Sequence, residues 1–183
     1  MLTFLKKRSY DIAKILVDQL AIALFGISLA FATSNIPSLS IATSVFSVFF
    51  FLVLIYIMMW ELGYKDRGII KRREEKISSF TGLYMGLVAS IPKFLLATFI
   101  ALGSFFPNTS FLSDARDIAT AIGLFLEGMY MGIFRFCTIN GSALSTYWFM
   151  WFLITIPMIV TASLAYYAGT KEFKIFPSTP KKN

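Results

Sequence analysis

From Val45 to Trp60 the chain reads VFSVFFFLVLIYIMMW, sixteen residues without a charged side chain. A helix needs about 20 mostly apolar residues to cross the ~30 Å of hydrocarbon in a bilayer, and this run extends to about that length, over roughly residues 41–63. Four further stretches have similar length and character, over about 12–33, 79–106, 115–137 and 147–169. Soluble core helices are usually shorter and apolar on one side only. With 57% hydrophobic and 15% charged residues, the chain has too little polar surface to cover a water-soluble globule of its size. The expected fold is therefore all-α, a polytopic transmembrane helical bundle forming a single membrane domain over residues 1–183.

The charges fall between and beside these runs. The net charge of +7 has no separate basic domain behind it. Its cations flank apolar segments, which is the pattern of membrane topology signals and argues against nucleic acid as a partner. WELGYKDRGIIKRREEK, Trp60 to Lys76, reads as the end of the second helix at Gly63 followed by a cytoplasmic hairpin over residues 64–78. Lys65, Arg67, Lys71, Arg72, Arg73 and Lys76 would hold that hairpin inside, near anionic lipid headgroups. Docking of a cytoplasmic protein is its second possible role. Asp66, Glu74 and Glu75 moderate the charge and are expected to pair locally. The basic opening MLTFLKKRSYDIAK has no convincing cleavage site after its apolar run, so the first helix is expected to be retained, with a cytoplasmic N-terminus.

Five apolar segments invite five crossings, but that arrangement divides the cations poorly. If the fourth segment does not cross, the basic tail 170–183 returns inside, leaving Arg116 and Arg135 outside. On a helical wheel Arg116, Thr120, Gly123, Glu127, Met131 and Arg135 form one polar stripe, while Ile118, Ile122, Phe125, Leu126, Met129 and Ile133 cover the other side. Four crossings plus one interfacial or re-entrant helix is the preferred topology, with five crossings as the rival. Ser113 is expected to cap the fourth helix, with Asp114 and Asp117 in its first turn.

There is no histidine, and Cys137 is the single cysteine. Cys/His metal sites, Ser-His and Cys-His nucleophiles and an internal disulfide are thereby excluded. No catalytic residue, metal or cofactor is expected. The informative polar residues are those placed inside apolar runs. Lys93 lies near the middle of the third segment, where an ammonium group costs several kcal/mol. Pro92 beside it removes a backbone hydrogen bond and frees a carbonyl on the preceding turn. Glu127 has a matched depth in the fourth segment and is the expected partner of Lys93. Together with Arg135 these residues are the ligand-binding or intramembrane polar candidates, the alternative being an ion pair that serves assembly alone. Asp18 and Gln19 are expected to form a headgroup-level collar, with Lys14 in reach of Asp18 at i,i+4.

Two short echoes recur. ELGYKD (Glu61–Asp66) and YAGTKE (Tyr167–Glu172) are read as helix ends on one side of the membrane, each with a glycine C-cap. GLYMG (Gly82–Gly86) and GMYMG (Gly128–Gly132) carry the small-xxx-small spacing that lets helix backbones approach. WELGYKDRG, GLYMGLVASIPKF and AYYAGTKEFKI together resemble motifs of small polytopic membrane proteins of Gram-positive, clostridia-like bacteria, although the last motif is reproduced only in part. That resemblance implies a helical fold in a bacterial plasma membrane and no particular activity. The functional expectation is a non-enzymatic scaffold or accessory component of a transport-type membrane assembly, with lipid and membrane proteins as its partners. The alternative is a small solute-binding transporter subunit that recognises a polar ligand within the bundle.

Overall fold

The computed structural model describes residues 2–73 and 80–172, with side chains for residues 8–68 and 80–172. Residues 74–79, which include the last part of the expected hairpin, and the basic tail beyond Glu172 lie outside the described residues. The rest is an all-α bundle. Helix α1 covers Leu2–Ala32, α2 Pro37–Arg73, α3 Thr81–Ala89, α4 Ile91–Phe105, α5 Ser110–Leu126, α6 Met131–Phe136, α7 Trp148–Leu153 and α8 Ile156–Thr170. Gly128–Tyr130 and Leu144–Thr146 are 3-10 turns, and β1 (Thr138–Ile139) pairs antiparallel with β2 (Ser142–Ala143). Residues 8–32, 37–68 and 148–170 are long and apolar enough to cross a membrane as helices.

The remaining apolar segments are bent. Pro92 has no N–H to offer the preceding turn, so the third segment breaks into α3 and α4 at an angle of 51°. The fourth breaks far more sharply, by 84° between α5 and the turn that leads into α6. Backbone groups freed at such breaks need partners in a medium without water. The Ser90 hydroxyl donates to the Gly86 carbonyl at 2.7 Å, the Gly132 N–H donates to Ser44 Oγ of α2 at 2.8 Å, and the Tyr130 hydroxyl donates to the Ile154 carbonyl at 3.3 Å.

These bends determine the path of the chain. One end of the bundle is marked by the turn between α1 and α2 and is called the turn end; the opposite, charged end carries Arg8 and Asp66. Helix α4 finishes at the turn end, where Phe105 meets Trp148 of α7 with ring centroids 5.1 Å apart. The stretch between them, residues 106–147, therefore starts and finishes at the same end. It descends as α5 to Glu127, turns where Gly128 lies against Ala23 and Ile27 of α1, and climbs back until Gly132 rests on Ser40 and Ser44 near the start of α2. This V returns to the end of the bundle from which it started, and α1, α2, α3 with α4, and α7 with α8 make four passages of the bundle around it. Its rising arm ends in the β1–β2 hairpin, whose two-residue loop Asn140–Gly141 has positive φ at both positions.

Several boundaries differ from the sequence expectation. Helix α1 starts ten residues before Ile12, and α2 continues ten residues beyond Gly63. Gly63 and Gly169 are not C-caps. They sit where α2 and α8, the most extensive helix pair, cross. The two echoes that contain them do lie at one end of the bundle, and Arg67 joins Glu172 there at 2.9 Å. Helix α5 starts at Ser110 with Thr109 as its N-cap residue, so Ser113 is inside the helix. The small-xxx-small pairs behave as their spacing predicts: Gly82 and Gly86 face α8, and Gly128 and Gly132 face α1 and α2.

Candidate functional site

The bundle interior is apolar, built on Ile15, Phe51, Ile55, Met59, Met85, Met129 and Met158, all nearly inaccessible. Two polar clusters interrupt it. The deeper one contains the Lys93 and Glu127 anticipated from their matched depth: Nζ lies 2.8 Å from Oε1, and the side chains are 5% and 4% exposed. Each reaches this position because a helix breaks beside it. Pro92 opens α4, leaving the proline itself exposed while Lys93 turns inward. Glu127 occupies the corner of the V, between α5 and the 3-10 turn.

Two further side chains complete this cluster. Gln19 of α1 is buried, and its Nε2 donates to Glu127 Oε1 at 3.2 Å. The Phe51 ring of α2 lies beneath Lys93, with Nζ 5.7 Å from the ring centroid, a cation–π distance. Gln19 is eleven residues from Arg8 and thirteen from Ala32, so the cluster is about 16 and 20 Å from the two ends at 1.5 Å per residue. This is mid-bundle, not headgroup level, and the expected collar role of Gln19 fails because α1 begins much earlier than residue 12. Asp18, next in sequence, is half-buried, and Lys14 does not reach it among the ion pairs of the described residues.

A lone ammonium or carboxylate at this depth is costly, whereas the pair neutralises itself and takes one neutral hydrogen bond from Gln19. Glu127 Oε2, Gln19 Oε1 and Lys93 Nζ remain buried without a hydrogen-bond partner, the last meeting Glu127 Oε1 as an ion pair alone. The space beside them is a cavity of about 10 Å³ against Lys93, Gly123, Glu127 and Trp151, which accommodates about one water. The arrangement can hold the V against α1 and α4. The cavity beside the pair is too small for a solute.

Arg135 does not join this cluster. The 84° bend ends the helical stripe at Glu127, and Arg135 is exposed, its guanidinium 5.3 Å from the ring centroid of the neighbouring Phe136. Lys93 Nζ makes no hydrogen bond to the carbonyl freed by Pro92. His/Cys/Asp/Glu groupings able to hold a metal are absent among the described residues.

The second cluster was not anticipated. Asp66, expected to pair locally in the hairpin, is buried and accepts an ion-paired hydrogen bond from Arg8 of α1, together with a 2.7 Å bond from the Tyr166 hydroxyl of α8. Arg8 also reaches Asp11 at 3.5 Å. Three helices are thereby fastened at the charged end. Around them Glu61 pairs with Lys65 at 2.9 Å, and Trp60 stacks on Tyr64, as befits a membrane interface. No protein-family model, curated protein or solved structure matches this chain.

Proposed function

We propose that this chain is a non-enzymatic integral membrane protein that serves as a scaffold or accessory component of a larger membrane assembly. The observation that carries this reading is the Lys93–Glu127 pair. A charge kept in the bilayer to recognise a solute needs a cavity for that solute, and here each charge is spent on the other with space for about one water beside them. The pair acts instead as a fastener for a re-entrant segment. Residues presented to lipid on the flanks, among them Phe46, Phe49, Leu95 and Leu164, suit a bilayer or neighbouring membrane helices.

The concentration of Lys and Arg around the charged end, against Arg116 and Arg135 towards the other, supports a cytoplasmic N-terminus. The resemblance to proteins of clostridia-like bacteria supports a bacterial plasma membrane. Solubilisation in a mild detergent followed by native electrophoresis tests the assembly. A discrete complex larger than the 20.6 kDa chain with its detergent, containing a stoichiometric second protein, is expected. A monomer whose melting temperature rises with a polar solute, and loses that rise in Lys93→Ala, would replace this reading with that of a solute-binding transport subunit.

A further inference from the structure

Two cavities lie one below the other along α5. At the turn end a cavity of about 230 Å³ opens between α4, α5 and the Leu144–Thr146 turn, lined by Ser104, Arg116, Asp117, Thr120, Ser145 and Thr146. Its wall is hydroxyls, one exposed ion pair with Arg116 3.0 Å from Asp117, and the side chain of Ile100, so it is a mixed but open vestibule that water can enter. Below it is the water-sized cavity beside Lys93 and Glu127. The two share one face of α5, Thr120 above and Gly123 and Glu127 below, spaced as successive turns of a helix.

Trp151 joins the two linings. Its Nε1 donates to the carbonyl of Ser145, a residue of the vestibule wall, at 3.1 Å. The six-membered ring of the same indole fills the space over Gly123, where a β-carbon would come 2.5 Å from Cζ3, and it forms a wall of the lower cavity. The indole is buried, held towards the vestibule by one hydrogen bond, its ring seated on Gly123 and packed against the Phe134 ring with centroids 5.1 Å apart. Beneath it the unpartnered Glu127 Oε2 favours any neighbour that can donate a hydrogen bond.

We propose that Trp151 is the plug of a gated water path, through which water from the turn-end vestibule reaches the Lys93–Glu127 pair when the indole leaves Gly123. The path is one-sided. At the other end Asp66 is closed over by Arg8 and Tyr166, and Met59, Met85 and Ile55 fill the interval between the two polar clusters. Water admitted at the plug would solvate both ions of the pair and so loosen the corner of the V. This goes beyond the assembly role and does not depend on it.

Cysteine accessibility in the full-length protein, reconstituted in liposomes with Cys137→Ser, provides the test. A membrane-impermeant quaternary-ammonium methanethiosulfonate is applied to Thr120→Cys in the vestibule and to Ile154→Cys in the lower cavity. Thr120→Cys should label whether or not Trp151 is present. Ile154→Cys should resist labelling beside Trp151 and react roughly tenfold faster or more with Trp151→Ala, as for a gate closed by at least one decade of population. Gly123→Ala, which pushes the indole off its seat, should accelerate labelling in the same direction and serves as the test if Trp151→Ala does not fold. Unchanged labelling of Ile154→Cys in both variants would overturn the proposal. So would faster labelling by reagent restricted to the charged end.

Discussion

Gly63 on α2 and Gly169 on α8 face each other's backbones. A β-carbon on Gly63 would come 2.3 Å from the Tyr166 carbonyl oxygen, and one on Gly169 would come 2.1 Å from that of Trp60. The obstacles are main-chain atoms, which do not rotate away. At this crossing the helices touch through their backbones, and the nearby Tyr166–Asp66 bond at 2.7 Å depends on that approach.

Alanine at either glycine should therefore be destabilising, by about 1–3 kcal/mol, the cost of overpacking a close contact. Gly68→Ala is the matched control: the residue belongs to the same helix, with nothing within 4 Å of a β-carbon. It should be neutral or gain up to about 1 kcal/mol from helix propensity. Thermal unfolding in one detergent checks both, and equal losses at Gly63 and Gly68 would contradict the close crossing.

Lys93→Met and Glu127→Met should each cost about 3–5 kcal/mol, because each leaves one buried charge without its counter-ion. The double variant should cost clearly less than the sum, as both charges leave together. A double-mutant cycle read by denaturant unfolding in detergent measures this coupling. Additive losses would mean that the two residues do not act as a pair.

Tyr166→Phe removes the hydroxyl that donates to Asp66 and keeps the ring. The expected loss is about 1.5–3 kcal/mol, the range for a hydrogen bond to a charged group. Arg8→Met should cost more, because Asp66 is then buried without a cation. If Tyr166→Phe destabilised the protein more than Arg8→Met, the ion pair would not be the main fastening of that cluster.

The return path of the V places the loop before α5 and the β1–β2 hairpin at the same end of the bundle. With Cys137→Ser, cysteines introduced at Asn108 and Asn140, both exposed, should therefore react with impermeant thiol reagent from the same side of a sealed vesicle. Labelling from opposite sides would establish a full crossing by residues 110–136 and remove the re-entrant segment.

The polytopic bundle was legible from the length of its apolar runs, and Lys93 and Glu127 were legible because charges at matched depth stand out against such runs. Gln19 was misread through a boundary. With α1 starting at Leu2, Ile12, Ile15, Gln19 and Ile22 form one buried stripe at helical spacing, and a glutamine on that stripe faces the core. Asp66 was misread similarly, since Ile55, Met59, Gly63 and Asp66 continue one face of α2 once Gly63 no longer ends the helix. In both places a conventional end signal was outweighed by tertiary packing. Arg135 was wrongly grouped because a helical wheel assumes a straight helix, and the bend at Glu127 is produced by Gly128 docking on α1, a contact that lies outside the segment itself. Trp151 gave no signal, since a tryptophan in an apolar run marks an interface as readily as a plug.

The position of Glu127 at the corner of the V also sets an order of biogenesis. Residues 110–136 turn through 84° at Glu127, so they bring a carboxylate into the bilayer that is uncompensated unless Lys93 is already in place. Helices α1 and α2 can partition into lipid as they emerge, each on its own apolar length, and α3 with α4 as a bent pair. The V has no place to go until they have assembled, because the counter-ion of Glu127 is Lys93 and its seat is the crevice between Ala23 and Ser44. A nascent chain stalled before residue 127 would hold Lys93 in the bilayer without its carboxylate, a transient liability that a membrane chaperone or quality-control protease is equipped to recognise.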